Sequence, residues 1–225
     1  MHKTYNVLII DDHPFVIDGF ERALHFIANQ SGTMSFRTHS STCCKTAYDK
    51  LQNYTTSQDL DLVILDISLP MDKSLKISCG KDLGILIRKW LPNTKILVCT
   101  MHVNSYKLRQ ILNAFDPLGF INKADVNFQG FVAAINDVLN NKLHYSQTII
   151  NAIKQKSSNQ INLDDYDILI LKELANGAKM NDLLKLIHLS KSGIDKRKRL
   201  LKVKFGMDTN SDRDLVLAAR AKGFI

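Results

Sequence analysis

The period of the apolar residues divides the chain in two. Over the first 140 residues, short apolar runs alternate with amphipathic stretches: Tyr5–Ile10, Thr33–Arg37, Leu60–Leu65, Lys95–Cys99 and Leu118–Ile121 are the runs. The clearest amphipathic stretch places Phe128, Phe131, Val132, Ile135, Val138 and Leu139 on one helical face, following the i, i+3, i+4, i+7 rule. Five strands alternating with helices predict β-α-β units and a parallel sheet. Runs so continuous in Val, Ile and Leu fit strands covered on both faces.

Between Leu143 and Leu163 the periodic signal weakens, and the polar stretch QKSSNQIN reads as a linker after a short helix at Gln147–Lys154. Beyond Leu163 the pattern is helical only, with helices expected near Asp164–Ala175, Lys179–Ile187, Ser190–Lys204 and Ser211–Lys222. Gly177, Gly206 and Gly223 suit helix ends. The expected organisation is an α/β domain over 1–141, a linker over 142–162 and an all-α four-helix domain over 163–225.

Composition narrows the function class. A chain of 225 residues is comfortable for two domains, and 45% hydrophobic with 23% charged residues is an ordinary water-soluble balance. No apolar run approaches the roughly 18 residues of a membrane helix, and Val7–Ile10 is too short for a signal peptide. A cytoplasmic protein with no membrane partner is expected. Cys43, Cys44, Cys79 and Cys99 show no C-x-x-C or zinc spacing; they read as free thiols, with Cys99 packing inside a strand. The net charge of +8 is unevenly spread: seven basic residues against the single acid Asp195 lie between Lys191 and Lys204. Such a run is either a solvated helix face or a surface for a polyanion.

Candidate chemistry collects at the strand ends, where open α/β sheets bind ligands. Strand one ends on Asp11 and Asp12, strand three on Asp66, strand four on Thr100, and strand five is followed by Lys123. A flavodoxin-like order, 2-1-3-4-5, brings these four strands side by side and converges the polar set on one pocket. An Asp-Asp pair after a strand can also be a helix cap. Three carboxylates together repel one another unless a cation joins them, and an all-oxygen site of this kind suits Mg²⁺. A lysine and a hydroxyl are the groups to place around a transferred phosphoryl group, and Asp66 is the candidate nucleophile.

The segments VLIIDDH, LVILDISLP, ILVCTMH and GFINK make residues 1–140 resemble the receiver domain of bacterial two-component response regulators. The resemblance implies a flavodoxin-like (βα)5 fold with a five-stranded parallel sheet. It implies Asp66 as the phospho-acceptor charged by a partner histidine kinase, Mg²⁺ held by Asp11, Asp12, Asp66 and the Ser68 carbonyl, and Thr100 and Lys123 binding the phosphoryl group. Phe120 stands where the family carries its switch aromatic. Phosphorylation is then expected to shift a population of states. The loop MDKSLKISC after Pro70 is longer than usual for the family, and Asp116-Pro117 stands where small residues are common.

In Ser190–Lys204, Ile194, Leu201 and Phe205 keep an apolar seam, while Ser192, Asp195, Lys196, Arg199 and Lys202 fall largely on another face. A helix packed on one side and basic on the other fits a DNA major groove. Asn176–Leu189 supplies the preceding helix, and Ser190 is an expected N-cap. The stretches LKELANGAKMNDL, LSKSGIDKRKRLLKVKFG and AARAKGFI resemble the helix-turn-helix domain of NarL/FixJ (LuxR-type) regulators. By that resemblance Asp195, Lys196 and Arg199 face base edges, and Lys191, Ser192, Lys202 and Lys204 lie near phosphates. Gly193-Ile194-Asp195 replaces the family's Thr-Val-Lys. Asp195 either accepts from a cytosine amino group or pairs with Arg199 one turn on.

The expected function is a non-enzymatic, DNA-binding transcriptional regulator switched at Asp66 and acting as a homodimer on promoter DNA. The last helix, with Leu215, Ala218 and Ala219, is either a dimer surface or core. One alternative is a signalling adaptor working through protein contacts. Another is a Mg²⁺-dependent phosphohydrolase, against which Ser68 stands where such enzymes carry a general acid.

Overall fold

The structure is a computed structural model and describes residues 2–57, 60–70, 80–101, 105–154, 161, 163–207 and 211–225. Two compact units emerge, the first reaching Ile153 and the second running from Lys154 to the C-terminus.

The first unit holds strands β1 (Lys3–Ile10), β2 (Met34–Ser41), β3 (Leu62–Leu65), β4 (Lys95–Thr100), β5 (Gly119–Asn122) and β6 (His144–Tyr145). Helices α1 (Pro14–Ser31), α2 (Cys44–Ser57), α3 (Gly80–Trp90), α4 (Ser105–Phe115), α5 (Phe128–Leu139) and α6 (Gln147–Lys154) alternate with them. The sheet is parallel throughout, in the order β2-β1-β3-β4-β5-β6. This extends the expected order by a sixth strand at the β5 edge. Only two residues long, β6 lacks an alternating pattern of its own, so periodicity could not reveal it. β2 runs to Ser41, beyond its expected end at Arg37, because it pairs with β1 along its whole length.

Side chains alternate across the strands and build a core on each face. Leu8, Ile10, Val63, Leu65, Ile96, Val98 and Phe120 meet α2, α3, α4 and α6 on one face. Val7, Ile9, Leu62, Ile64, Leu97, Cys99 and Ile121 meet α1 and α5 on the other. Each fully buried Val, Ile or Leu side chain contributes about 1.5–3 kcal/mol, so strands apolar on both faces are held from two sides. Within the stretch expected as a linker, the short helix expected at Gln147–Lys154 forms as α6, strand β6 precedes it, and Ile149 is fully buried in the first core. The long loop over 71–79 and the polar stretch over 155–160 lie outside the described residues.

The second unit is helical: α7 (Asp165–Ala175), α8 (Met180–Leu186), α9 (Lys191–Lys204) and α10 (Asp212–Ala221). The expected cap at Ser190 forms, and two further caps join it. Asp164, Ser190 and Ser211 each accept from a main-chain N–H three residues on, satisfying donors that a helix start leaves open. Ile168, Leu171, Leu183, Ile187, Ile194, Leu201, Leu215 and Ala219 form its core. Leu215 and Ala219 are fully buried and Ala218 packs beside them, so packing, not a dimer surface, accounts for these three.

Candidate functional site

Strand register builds the first site. Ile10 pairs with Leu65, Leu65 with Val98, and Thr100 with Asn122, so β1, β3, β4 and β5 end near one level. The ladder then runs one residue further. The N–H groups of Asp11, Asp66 and Lys123 donate to the carbonyls of Ser41, Ile10 and Thr100 at 3.0, 2.8 and 2.9 Å. Each functional side chain thus leaves a backbone that the sheet itself fixes.

Three of the predicted residues converge tightly. Lys123 Nζ lies 2.6 Å from Asp11 Oδ2 and 2.7 Å from Asp66 Oδ2. Asp66 Oδ1 accepts from the Ser68 N–H at 2.7 Å, and the Ser68 hydroxyl meets Thr100 Oγ1 at 2.9 Å. Asp11, Asp66 and Thr100 are buried while Ser68 is exposed, so the pocket opens on the Ser68 side. Asp12 is part-exposed, with Oδ1 2.7 Å from His13 Nδ1. Phe120 is fully buried in β5 and meets the Tyr145 ring edge-on, with centroids 6.4 Å apart.

Charge follows burial here. Burial pushes the Asp11 carboxyl above its usual value, against hydrogen bonds from Lys123 and the His13 N–H. Burial works to lower the Lys123 ammonium, but its bonds to Asp11 and Asp66 outweigh that and hold it above the usual lysine value. Burial also pushes the Cys99 thiol well up, which fits a packing role. Ligand atoms of Asp11, Asp12, His13 and Asp66 all lie within 4.8 Å of one another, a spacing that can hold a cation.

Two features of the pocket escaped the sequence reading. A Cβ on Gly80 would lie 2.0 Å from the Asp66 carbonyl oxygen and 2.7 Å from Ile67 Cα, so only glycine lets α3 start against the acceptor's backbone. Its signal was a lone glycine after an atypical loop. The other is Asp125, which accepts from Ser146 and Thr148; nothing in local spacing links it to them.

The second site is α9. Its outward arc carries Lys191, Ser192, Lys196 and Arg199, all exposed, with Asp195 half-buried. Asp195 makes no ion pair with Arg199 among the described residues, which removes the i, i+4 pair as its account. The other cations turn to acids of the same unit. Arg197 Nη1 meets Asp164 at 2.6 Å and Asp167 at 2.8 Å, and Lys204 Nζ meets Asp167 at 2.9 Å. Lys198 and Lys202 clamp Asp212 at 2.5 and 3.0 Å. Lys202 and Lys204, expected near phosphates, are thus engaged inside the unit. Burial opposes ionisation at Asp164 and Asp212, but these hydrogen bonds outweigh it and hold both carboxyls below the usual range.

No family model matches the chain. The transcriptional regulatory protein RcsB of Escherichia coli K12 is 24% identical over 210 residues, covering 92% of this chain and 91% of RcsB; RcsB of Salmonella typhi is 23% identical over the same span. Among solved structures, RcsB of Salmonella enterica serovar Typhimurium bound to promoter P1flhDC with phosphomimetic BeF3⁻ superposes with a TM-score of 0.64 at 22% identity, covering 96% of this chain and 98% of that one. A structure of two RcsB dimers bound to two parallel DNAs gives 0.62 at 22%, covering 97% and 99%. The LuxR-family response regulator of Aurantimonas sp. SI85-9A1 gives 0.52 at 23%, over 68% of this chain and 98% of that one. The RcsB likenesses extend over both units of the fold.

Proposed function

We infer that this chain, a response regulator of the NarL/FixJ type, controls transcription by binding promoter DNA through α9 under the control of phosphorylation at Asp66. The observation that carries the reading is the convergence of Asp66, Lys123 and Thr100 from three strand ends onto one pocket, with Lys123 2.7 Å from Asp66. Asp66 is the nucleophile: one carboxylate oxygen attacks the phosphorus of a phosphohistidine on a partner kinase, the P–N bond breaks, and the imidazole leaves with a proton. Lys123 is placed to move from carboxylate to phosphoryl oxygen, and the Thr100 hydroxyl to donate to another.

The oxygen-rich set of Asp11, Asp12 and Asp66 suits Mg²⁺, with the Ser68 carbonyl as a further ligand. Bound there, Mg²⁺ supplies charge neutralisation for the incoming phosphoryl group. Ser68 stands where a phosphohydrolase needs a proton donor, and its hydroxyl is engaged with Thr100, which favours holding a phosphoryl group over turning it over. No helix among the described residues is long and apolar enough to cross a membrane, which is in keeping with a cytoplasmic regulator.

On α9, Arg199 and Lys196 face base edges, while Lys191 and Ser192 meet phosphates. Asp195, without an ion-pair partner among the described residues, sits among them as an acceptor for a cytosine amino group. RcsB is seen as DNA-bound dimers, and a homodimer of this chain on paired half-sites follows the same geometry. Labelling with acetyl phosphate and Mg²⁺ tests the acceptor: Asp66→Asn should abolish it, and persistent labelling moves the acceptor elsewhere. Genome-wide mapping of bound DNA with intact Asp66 and with Asp66→Asn tests the output; failure of both forms to bind promoter DNA at low salt makes the chain a protein-binding adaptor.

A further inference from the structure

The turn that carries the pocket lysine is tied to the last helix of the first unit through one carboxylate, Asp125. Asp125 closes the turn that carries Lys123, its N–H donating to the Asn122 carbonyl at 2.9 Å. Its side chain accepts from the Ser146 hydroxyl at 2.7 Å, the Thr148 N–H at 2.9 Å and the Thr148 hydroxyl at 2.7 Å, all at the start of α6. Ser146 Oγ in turn accepts from the Asn122 N–H at 3.0 Å, one residue before Lys123. A second tie runs beside the first. The Ser146 N–H donates to the Phe120 carbonyl at 3.0 Å. The Tyr145 ring stands edge-on to Phe120 at an interplanar angle of 86°, and its hydroxyl donates to the Pro117 carbonyl at 3.1 Å. Ile149 of α6 and Phe120 are both fully buried in one core.

We propose that Ser146 is a positioning residue for Lys123, and that β6 and α6 form the element through which the state of the Asp66 pocket is read. The proposal rests on Asp66 being the phospho-acceptor. A phosphoryl group on Asp66 adds negative charge and new acceptor oxygens, which draw Lys123 off Asp11. Its turn is bonded to Ser146 and Asp125, so that shift loads the bonds at the start of α6. Phe120 cannot leave its site without displacing Tyr145, because packed cores switch between discrete arrangements and do not deform continuously. In sequence, α6 is the last element before the second unit, so a change in its seating is delivered at the point where that unit begins.

The test uses the full chain with Mg²⁺ and beryllofluoride, reading hydrogen exchange of the α6 amides and beryllofluoride binding by calorimetry. In the wild type, beryllofluoride should speed exchange over 148–153 by about tenfold, within the usual span of coupling between sites. Ser146→Ala and Asp125→Asn should exchange fast without beryllofluoride, change little on adding it, and bind it measurably but more weakly, since Lys123 is less well held; Ser146→Thr, which keeps the hydroxyl, should restore the wild-type response. A merely structural role for Ser146 would lower the unfolding midpoint and leave the beryllofluoride-dependent change in α6 intact, and that result overturns the proposal. So does a wild type that binds beryllofluoride with no change in α6. A wild type that fails to bind it removes the phospho-acceptor reading itself.

Discussion

Lys123 Nζ lies 2.7 Å from Oδ2 of Asp66, 57 positions earlier in the chain, with both side chains nearly closed to solvent. Removing one partner of a buried ion pair leaves a bare charge inside. Lys123→Met should therefore lose about 3 kcal/mol of stability without divalent metal. Saturating Mg²⁺ should return much of it, about 2.7 kcal/mol at a hundredfold excess over its Kd, which urea unfolding with and without the ion will measure. The alkaline limb changes too. The lysine's folded value is raised, so its contribution is full below the ordinary lysine range near 10.4 and is lost as pH rises through the folded value. The variant should lack that loss.

Gly80→Ala puts a methyl group 2.0 Å from a main-chain oxygen of Asp66. Neither backbone can yield by rotating a side chain. The substitution should cost upwards of about 1–3 kcal/mol and slow acetyl phosphate labelling of Asp66, while Gly32→Ala, with open space around its Cβ position, should leave labelling unchanged.

Two arginines two positions apart on α9 should behave oppositely. Arg199 is exposed and pairs with no acid among the described residues, whereas Arg197 bridges Asp164 and Asp167. Arg199→Ala should leave the melting temperature near wild type and weaken specific binding by about 1–3 kcal/mol, with a smaller loss on random DNA. Arg197→Ala should lower the melting temperature of the second unit by leaving the buried Asp167 with Lys204 as its one remaining cation. Equal losses on both DNAs for Arg199→Ala would make it a phosphate contact.

Acid should loosen the second unit through two named carboxylates. Asp164 and Asp212 have folded values below the usual range. Their contribution is present above the ordinary aspartate value of about 3.9 and is lost as pH falls through the folded values. Asp164→Asn and Asp212→Asn should each flatten the acid limb of the unfolding curve, read by circular dichroism between pH 5 and pH 2.

The pocket was legible because its residues sit at the ends of apolar runs, where strand period and strand order suffice to bring Asp11, Asp66, Thr100 and Lys123 together. The cap at Ser190 was legible for a related reason: it acts within one turn. What stayed hidden depends on residues far apart in sequence. The basic run of α9 read as one charged face, yet four of its seven cations answer Asp164, Asp167 and Asp212, and only packing reveals the partners. β6 was hidden because two residues carry no period, and Gly80 because a close approach of backbones leaves no hydropathy signal.

The short β6 strand also governs how the sheet meets other chains. His144 and Ser146 donate to Leu118 and Phe120, and the Ser146 hydroxyl takes the Asn122 N–H, so β5 has its outward main-chain groups occupied. An unpaired edge invites strand addition and aggregation. Along β5 the invitation is withdrawn by two residues, one of them also using a side chain where the strand has already ended. The opposite edge is β2, whose residues Arg37, His39 and Ser40 are polar, the kind of edge least prone to recruit another strand.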